Sequence, residues 1–574
     1  MQNPLVDKIL NILNHFHTER PTLQLFIPLF VIFSSSLLLA DRFTQSKLSW
    51  FKNLALKLFN SFILKVAVIL IVNYFYLVCL YTLSNNYIDH AEPNVSAVSW
   101  LFQSGHFLYP NLEHPERYIN NYGPILYIVN GFIFNLFQPS ILTSKLCGVI
   151  AVAITLLSLH CVLAKMSGFR IAIIGSAYIT LVFLSLNTFH SLPAASFWTR
   201  PDPLLLMCVS IALLAAIATP PLIATLICAL SVGISLNLKI FAILYFLPIY
   251  TIFYQQAGLA YTLLSLFLAF GVAVTPFIGF SHISFENYIT WLHQVSHQGL
   301  EFRQFKRDIV WVIAVSIPAI FALIYLLFTN RRSLIQWLYD NKIYMAILSF
   351  SISGVVIIGS KPGAQENNLL PLIPALTYFF TILLTQVRNI RETTANLQRK
   401  TNQYLYLTLV STTLAWLVSA LLIAIPNEAN IILKLIKYPN AVRDIEQVIN
   451  FYPDKRIGMG YGKSYELSFY RPFLVFHRNP YLLDAASMME MQQSGVNPIP
   501  SGTLAALEVC QTEIWLIPKG EQPFQLASYY PPNKPLFSDR FRTIFLENYE
   551  LSGQTRYYDL WVCKAAQGKT AIAN

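Results

Sequence analysis

Long apolar runs recur along this chain, and they leave it few ways to fold. They fall at 23–40, 59–82, 141–164, 170–187, 202–218, 220–236, 239–254, 258–279, 308–328, 343–359, 367–387 and 403–425. Each holds 16 to 24 residues, and short polar loops separate them. A helix rises about 1.5 Å per residue, so runs of this length cross or nearly cross a hydrocarbon layer about 30 Å thick. In lipid the backbone must satisfy its own hydrogen bonds, which makes such runs helices. The pattern predicts a polytopic membrane protein with twelve spans. A thirteenth run, 123–139, begins with Gly123-Pro124 and is barely long enough to cross.

Charge decides that ambiguity. Only 12% of residues are charged, about half the share of an average soluble chain. With 123–139 lying along the membrane surface or re-entering it, one side receives Arg42, Lys47, Lys52, Lys57, Lys165, Arg170, Arg331, Arg332, Lys342, Arg388, Arg391, Arg399 and Lys400 in short loops. The other receives Arg117, Lys145, Arg200, Lys239, Arg303, Lys306, Arg307 and Lys361, plus Lys8 and Arg20 in the tail, and most of the loop acids. The first side is then cytoplasmic by the positive-inside bias, and both termini lie outside. A crossing at 123–139 would swap every later loop and break the bias. The same bias accounts for the net charge of +11, so nucleic-acid binding is not implied.

Three regions follow. Residues 1–58 hold an amphipathic interfacial stretch and one extra span. Residues 59–426 form the membrane domain, with a long outer loop at 84–122. Residues 427–574 carry regular charges and no spanning run, and read as a small extracytoplasmic α/β domain. The GMGYG string at 458–462 lacks the spacing of a dinucleotide fingerprint and reads as a turn after a strand. Cys79, Cys147, Cys161, Cys208 and Cys228 lie in apolar runs. Cys510 and Cys563 lie outside them, in the domain assigned to an oxidising compartment, and are expected to pair.

The stretch Tyr87 to Tyr127, YIDHAEPNVSAVSWLFQSGHFLYPNLEHPERYINNYGPILY, gathers Asp89, His90, Glu92, Glu113, His114, Glu116 and Arg117 directly after a span. Ionisable groups crowded there point to a site at the membrane surface. The stretch resembles the first outer loop of the GT-C glycosyltransferases, a superfamily that includes protein O-mannosyltransferases and lipid A aminoarabinose transferases. Asp89 matches the first acid of that loop. The second position holds His90 in place of the usual Glu, and Glu92 follows two residues later. Three further strings resemble the same family: WTRPDPLLL (198–206), LNLKIFAILYFLP (236–248) and SKPGAQENNLLPLIPAL (360–376).

The resemblance implies transfer of a sugar from a polyprenyl-phosphate donor to a hydroxyl on a lipid, glycan or protein acceptor. The active site would lie on the outer face of a bacterial plasma membrane. A base takes the acceptor's proton, and cations meet the charge that grows on the leaving phosphate. Asp89 is the candidate base, with Glu92 the next acid. Arg117, Tyr122, Arg200, Asp202, Lys239, Arg303 and Lys361 are the candidate substrate and phosphate contacts. Plainer readings compete. Asp202-Pro203 can be a helix N-cap with its N1 proline, Lys239 can snorkel from a helix end, and Lys361 sits in a Pro-Gly turn. Tyrosines such as Tyr122 are common at membrane interfaces. His293, His297 and Glu301 recur at a four-residue spacing that could bind a divalent metal ion. The same helix could instead be amphipathic and interfacial. No cofactor is otherwise implied. Asn94-Val95-Ser96 is a glycosylation sequon, relevant only in a eukaryotic secretory setting. A transporter or flippase would carry charges at mid-membrane, which these spans lack, Lys65 aside. An O-antigen polymerase or ligase-like enzyme is the other alternative.

Overall fold

The computed structural model describes residues 49–118, 122–185, 193–364, 366–394, 399–530 and 533–567. The run at 23–40 and the N-terminal amphipathic stretch lie outside the described residues. The helices of the membrane region are α1 (Ser49–Leu83), α2 (Ala91–Gln103), α3 (Pro124–Leu136), α4 (Ile141–Ser167), α5 (Phe169–Ser185), α6 (Pro201–Ala218), α7 (Pro221–Leu236), α8 (Ile243–Ala257), α9 (Leu259–Gly279), α10 (Phe285–Ser296), α11 (Phe302–Thr329), α12 (Arg331–Asp340), α13 (Lys342–Gly359), α14 (Ile373–Thr394) and α15 (Arg399–Ile436).

Nine helices among the described residues are long and apolar enough to cross a membrane, and α5 and α7 are shorter apolar helices. Together they account for the eleven predicted spans that fall within the described residues. They present large apolar side chains outward: α9 exposes Leu263, Leu264, Phe267 and Phe270. In a soluble protein that surface would be a liability, whereas in a bilayer it is the lipid face. The run at 123–139 becomes α3, 13 residues long. At about 1.5 Å per residue it reaches roughly 20 Å, too short to span. The chain is an integral membrane protein built almost wholly of helices.

The loop ends expected on the outer side meet at one end of the bundle. Arg200 pairs with Asp89 and Lys239 bonds Asn368, while the backbone N–H of Glu301 donates to the carbonyl of Ser360. At the other end, Lys165 donates to the carbonyl of Ile217 and Gln386 to Ser333.

Two glycines let backbones meet where side chains would hold them apart. A Cβ on Gly148 of α4 would lie 2.3 Å from the carbonyl oxygen of Trp198. One on Gly123 would lie 2.0 Å from that of Asn237. The first seats the segment leading to Arg200 against α4. The second seats the start of α3 against the end of α7, two residues before Lys239.

After α15 the chain forms a polar domain. It comprises α16 (Ala441–Phe451), α17 (Arg471–Phe476), α18 (Ala485–Gln493), α19 (Ser501–Glu508) and α20 (Asp539–Asn548). Its sheet runs β1-β2-β4-β3, with β1 (Ile457–Met459), β2 (Ile514–Pro518), β3 (Tyr549–Gln554) and β4 (Tyr558–Cys563). β1 and β2 are parallel and the other pairs antiparallel. All five residues of β2 are buried, as expected of a central strand covered on both faces. Gly458 lies within β1 and Gly460 and Gly462 follow it, with the N–H of Gly460 donating to the carbonyl of Leu516 of β2, so GMGYG is the end of a strand and the loop after it.

Cys510 and Cys563 form a disulfide, their Cα atoms 6.1 Å apart. It closes a loop of 53 residues. Replacing Cys510 with Ser should lower the stability of this domain by about 2–5 kcal/mol. Urea unfolding followed by tryptophan fluorescence measures it, and an unchanged midpoint would contradict the expectation.

Candidate functional site

The site begins where α1 ends. Lys145 of α4 is buried and donates to the carbonyls of Tyr81, Ser84 and Asn86, at 2.7, 2.7 and 2.8 Å. It thereby satisfies C-terminal carbonyls that a helix leaves unpaired and fixes the turn before Asp89. Glu92, fully buried, completes the turn. Its Oε1 accepts from the N–H groups of Ile88 and Asp89 at 2.8 and 3.0 Å. Its Oε2 accepts from the N–H of Thr199 at 3.1 Å and from the hydroxyl of Tyr81. Burial raises the pKa of Glu92, against the opposing hydrogen bonds of Tyr81 and Thr199. With both oxygens occupied by the protein, Glu92 braces the loop to the segment before α6.

Asp89 stands at the tip of this brace. Its Oδ1 accepts from the N–H of Ala91 at 3.0 Å and from Nη1 of Arg200 at 3.0 Å. Its Oδ2 lies 3.3 Å from Nδ1 of His90. Burial pushes the carboxyl pKa up, but His90 and Arg200 outweigh it and hold Asp89 well below the usual carboxylate range. His90 moves the other way. Burial lowers its pKa, and the carboxylate beside it more than compensates.

Arg200 is the N-cap residue of α6, and Pro201 takes the first helical position. Proline costs nothing there, because that N–H has no helical partner. Asp202 is therefore not the cap. Its buried carboxylate accepts from Lys239 at 2.7 Å and from the indole N–H of Trp198 at 3.2 Å, and lies 3.7 Å from Nε of Arg200. The cap reading fails because the helix opens two residues earlier than Asp202-Pro203 suggests. Lys239 is buried and donates also to Oδ1 of Asn368 at 2.6 Å, so it does not snorkel. Burial lowers its ammonium pKa, opposed by Asp202. Arg200 stacks on the ring of Trp198 at 4.3 Å and lies 6.0 Å from that of Tyr122. One line of alternating charge thus runs His90, Asp89, Arg200, Asp202, Lys239.

The remaining candidates stand apart from that line. Lys361 is half-buried in a turn whose Gly363 lies against Tyr530, and partial burial lowers its pKa. Arg303 is exposed in the first turn of α11 and joins none of these pairs. Arg117 is buried against the polar domain. Its N–H donates to the carbonyl of Leu482 at 2.7 Å, and its carbonyl accepts from the N–H of Asp484 at 2.8 Å. Its guanidinium bonds the carbonyl of Leu112 at 2.6 Å and sits 5.2 Å from the ring centre of Trp291. Burial lowers its pKa to about 10. The backbone of Arg117 fastens loop to domain, and its guanidinium stands away from the Asp89–Arg200 pair.

The metal reading of the outer helix also changes. α10 ends at Ser296 with His297 as its C-cap, and Gly299 turns the chain at φ +76°. Glu301 is the N-cap of the next helix. The four-residue spacing is interrupted, and Nδ1 of His297 lies 2.9 Å from the carbonyl of His293. No group of three metal-ligating side chains occurs among the described residues. Tyr288 and Trp291 of α10 are buried while Phe285 and Ile289 are exposed, as an interfacial helix requires.

A cavity of about 400 Å³ opens beside Asp89 and His90. Lys434 and Lys437, at and just beyond the end of α15, line it with Tyr465, Glu466, Phe469 and Tyr529 of the polar domain. Sequence reading placed His90 in this region without giving it a role, and missed Asn368 and Lys434. His90 stands where the family resemblance puts an acid, and Asn368 lies inside one of the resembling strings. Lys434 carried no signal beyond its place at the end of a span.

No family model and no curated protein matches the chain. Among solved structures, the crystal structure of ArnT from Cupriavidus metallidurans bound to undecaprenyl phosphate superposes with a TM-score of 0.51 at 12% identity, over 86% of this chain and 97% of that one. The same protein in the apo state gives 0.49 at 11% identity, over 89% and 99%. The apo oligosaccharyltransferase of Archaeoglobus fulgidus gives 0.40 at 12%, over 82% and 70%. At such identity the first of these likenesses is one of fold, and the fold is GT-C-like.

Proposed function

We propose that this protein is a membrane glycosyltransferase that moves a sugar from a polyprenyl-phosphate donor to an acceptor hydroxyl at the extracytoplasmic face of a bacterial plasma membrane. The observation that carries the reading is the ion pair of Arg200 with Asp89, whose side of the pair lines a cavity where the membrane bundle meets the polar domain. Two further facts support it. A solved structure that shares the fold was determined bound to undecaprenyl phosphate. Every ionised group of the site lies at the bundle end where a lipid headgroup would arrive.

In this reading Arg200 and Lys239 meet the donor phosphate, the planar guanidinium by paired hydrogen bonds. Asp89 supplies the base function that the acceptor hydroxyl needs. The phosphate and Asp89 compete for Arg200, so donor binding loosens the pair that holds Asp89 so strongly ionised. Lipid, glycan and protein remain the acceptor classes. A divalent ion is not needed for any step derived from these residues.

The test is transfer from purified polyprenyl-phosphate sugars by the protein in lipid nanodiscs, read as release of free polyprenyl phosphate. Absence of release with every donor tried, in folded protein supplied with acceptor, refutes the proposal. Arg200→Ala should raise KM for the donor and lower kcat, with a combined loss of about 10²-fold or more in kcat/KM. An unchanged KM would remove Arg200 from the donor site.

A further inference from the structure

Asp89 is well placed but a poor proton acceptor on its own. An effective base has a pKa near the working pH. Every oxygen of this carboxylate faces a donor: Ala91 N–H and Arg200 on Oδ1, His90 on Oδ2. Each contact favours the anion, and a proton placed there would disrupt them.

His90 offers what Asp89 lacks. Its Nδ1 lies 3.3 Å from Oδ2 of Asp89, and a third of the side chain is exposed. That contact holds the ring in the tautomer with the proton on Nδ1, leaving the lone pair of Nε2 free. The ring lines the cavity and meets Tyr465 and Tyr529 edge-on, with centroids 6.2 and 6.0 Å away. Nε2 makes no hydrogen bond to any of the described residues. A carboxylate fixing one nitrogen of an imidazole while the other faces a cavity is the arrangement that lets histidine act as a base.

We infer that Asp89 exercises its base function through His90, whose Nε2 takes the proton of the acceptor hydroxyl. The inference rests on the glycosyl-transfer reading. As the acceptor O–H bond breaks, its oxygen bonds the anomeric carbon. The bond from that carbon to the phosphate oxygen breaks, and its electron pair leaves with the lipid phosphate. Nε2 holds the proton as imidazolium, with Nδ1–H still on Asp89, and then releases it to water. Asp89 stabilises the imidazolium and stays ionised.

The neutral imidazole is the active form, so activity rises with pH through the pKa of His90. That pKa is raised above its ordinary value, because Asp89 outweighs burial. Arg200 lowers it and Asp484 raises it, while Glu490 faces His90 from α18. Across the cavity stand Lys434 and the Lys437–Glu466 pair.

Two measurements test the inference. In nanodiscs, wild-type kcat/KM should show an acid limb with its midpoint above about 6.5. His90→Gln should lose about 10²–10⁴-fold in rate and lose that limb. Retention of both the rate and the limb would overturn His90 and leave the transferase reading standing. The second needs no turnover: modification by diethyl pyrocarbonate, which acylates neutral imidazole, mapped by mass spectrometry against pH. His90 should react with a midpoint above about 6.5, and Asp89→Asn should move that midpoint down. An unreactive His90, or a midpoint indifferent to Asp89→Asn, overturns the inference even if no donor is ever turned over or His90→Gln fails to fold.

Discussion

Asp89→Asn should slow sugar transfer by about 10²–10⁴-fold while leaving the protein folded. The amide keeps the size and polarity of the carboxylate. It loses the charge that holds Arg200 at 3.0 Å, and it presents N–H groups where His90 now finds an acceptor. The imidazole then loses its preferred tautomer and the stabilisation of its charged form. The loss corresponds to roughly 3–5 kcal/mol of barrier. Folding has other supports in this loop. Glu92 holds the backbone N–H groups of Ile88 and Asp89, and Lys145 holds the carbonyls before them. Turnover with purified donor decides the matter, with thermal unfolding in parallel. Wild-type turnover by a folded Asp89→Asn variant would remove Asp89 from the chemistry.

Asp202→Ala should act on stability first. The carboxylate is fully buried and bonded to Lys239, with Arg200 3.7 Å away. Its removal leaves two buried cations facing each other without the anion between them. Breaking a buried pair by deleting one partner costs about 3–5 kcal/mol. Unfolding of the purified protein in mild detergent should shift down accordingly, and whatever folds should bind donor poorly because Arg200 is no longer steadied. A double variant, Asp202→Ala with Lys239→Met, should recover part of the loss by removing one stranded charge. An Asp202→Ala protein as stable as wild type would mean that solvent reaches this pair.

The bundle was legible because lipid imposes one rule on every span. Uninterrupted apolar stretches had to be helices, and α3 was too short to be one more crossing. The gathering of Asp89, Arg200, Asp202 and Lys239 followed from counting which loops share a side. What stayed hidden depends on direction rather than on residue type. Glu92 is a carboxylic side chain like Asp89 and only three residues away, yet it points into the protein and grips backbone N–H groups. Arg117 has the charge a phosphate would want, but its backbone is tied to Leu482 and Asp484 and its guanidinium lies buried against Leu112 and Trp291, and nothing local announces partners so distant in sequence. The spacing of His293, His297 and Glu301 would fit a helix, but Gly299 ends that regularity at a left-handed turn. His90 reads as an ordinary loop histidine until its neighbours from the polar domain are known.

The fastening between the first outer loop and the polar domain also orders events in time. Asn94 donates to the hydroxyl of Tyr481, 387 positions further along the chain, and Arg117 forms a short parallel bridge with Leu483. During synthesis the chain is made at about 5–20 residues per second, so the loop is threaded through the membrane long before its partners exist. It waits, unclosed, while the remaining spans are laid down. On the transferase reading, a ribosome that stops short of residue 480 leaves the loop inserted without the partners that fasten it, so truncated copies are expected to be inactive.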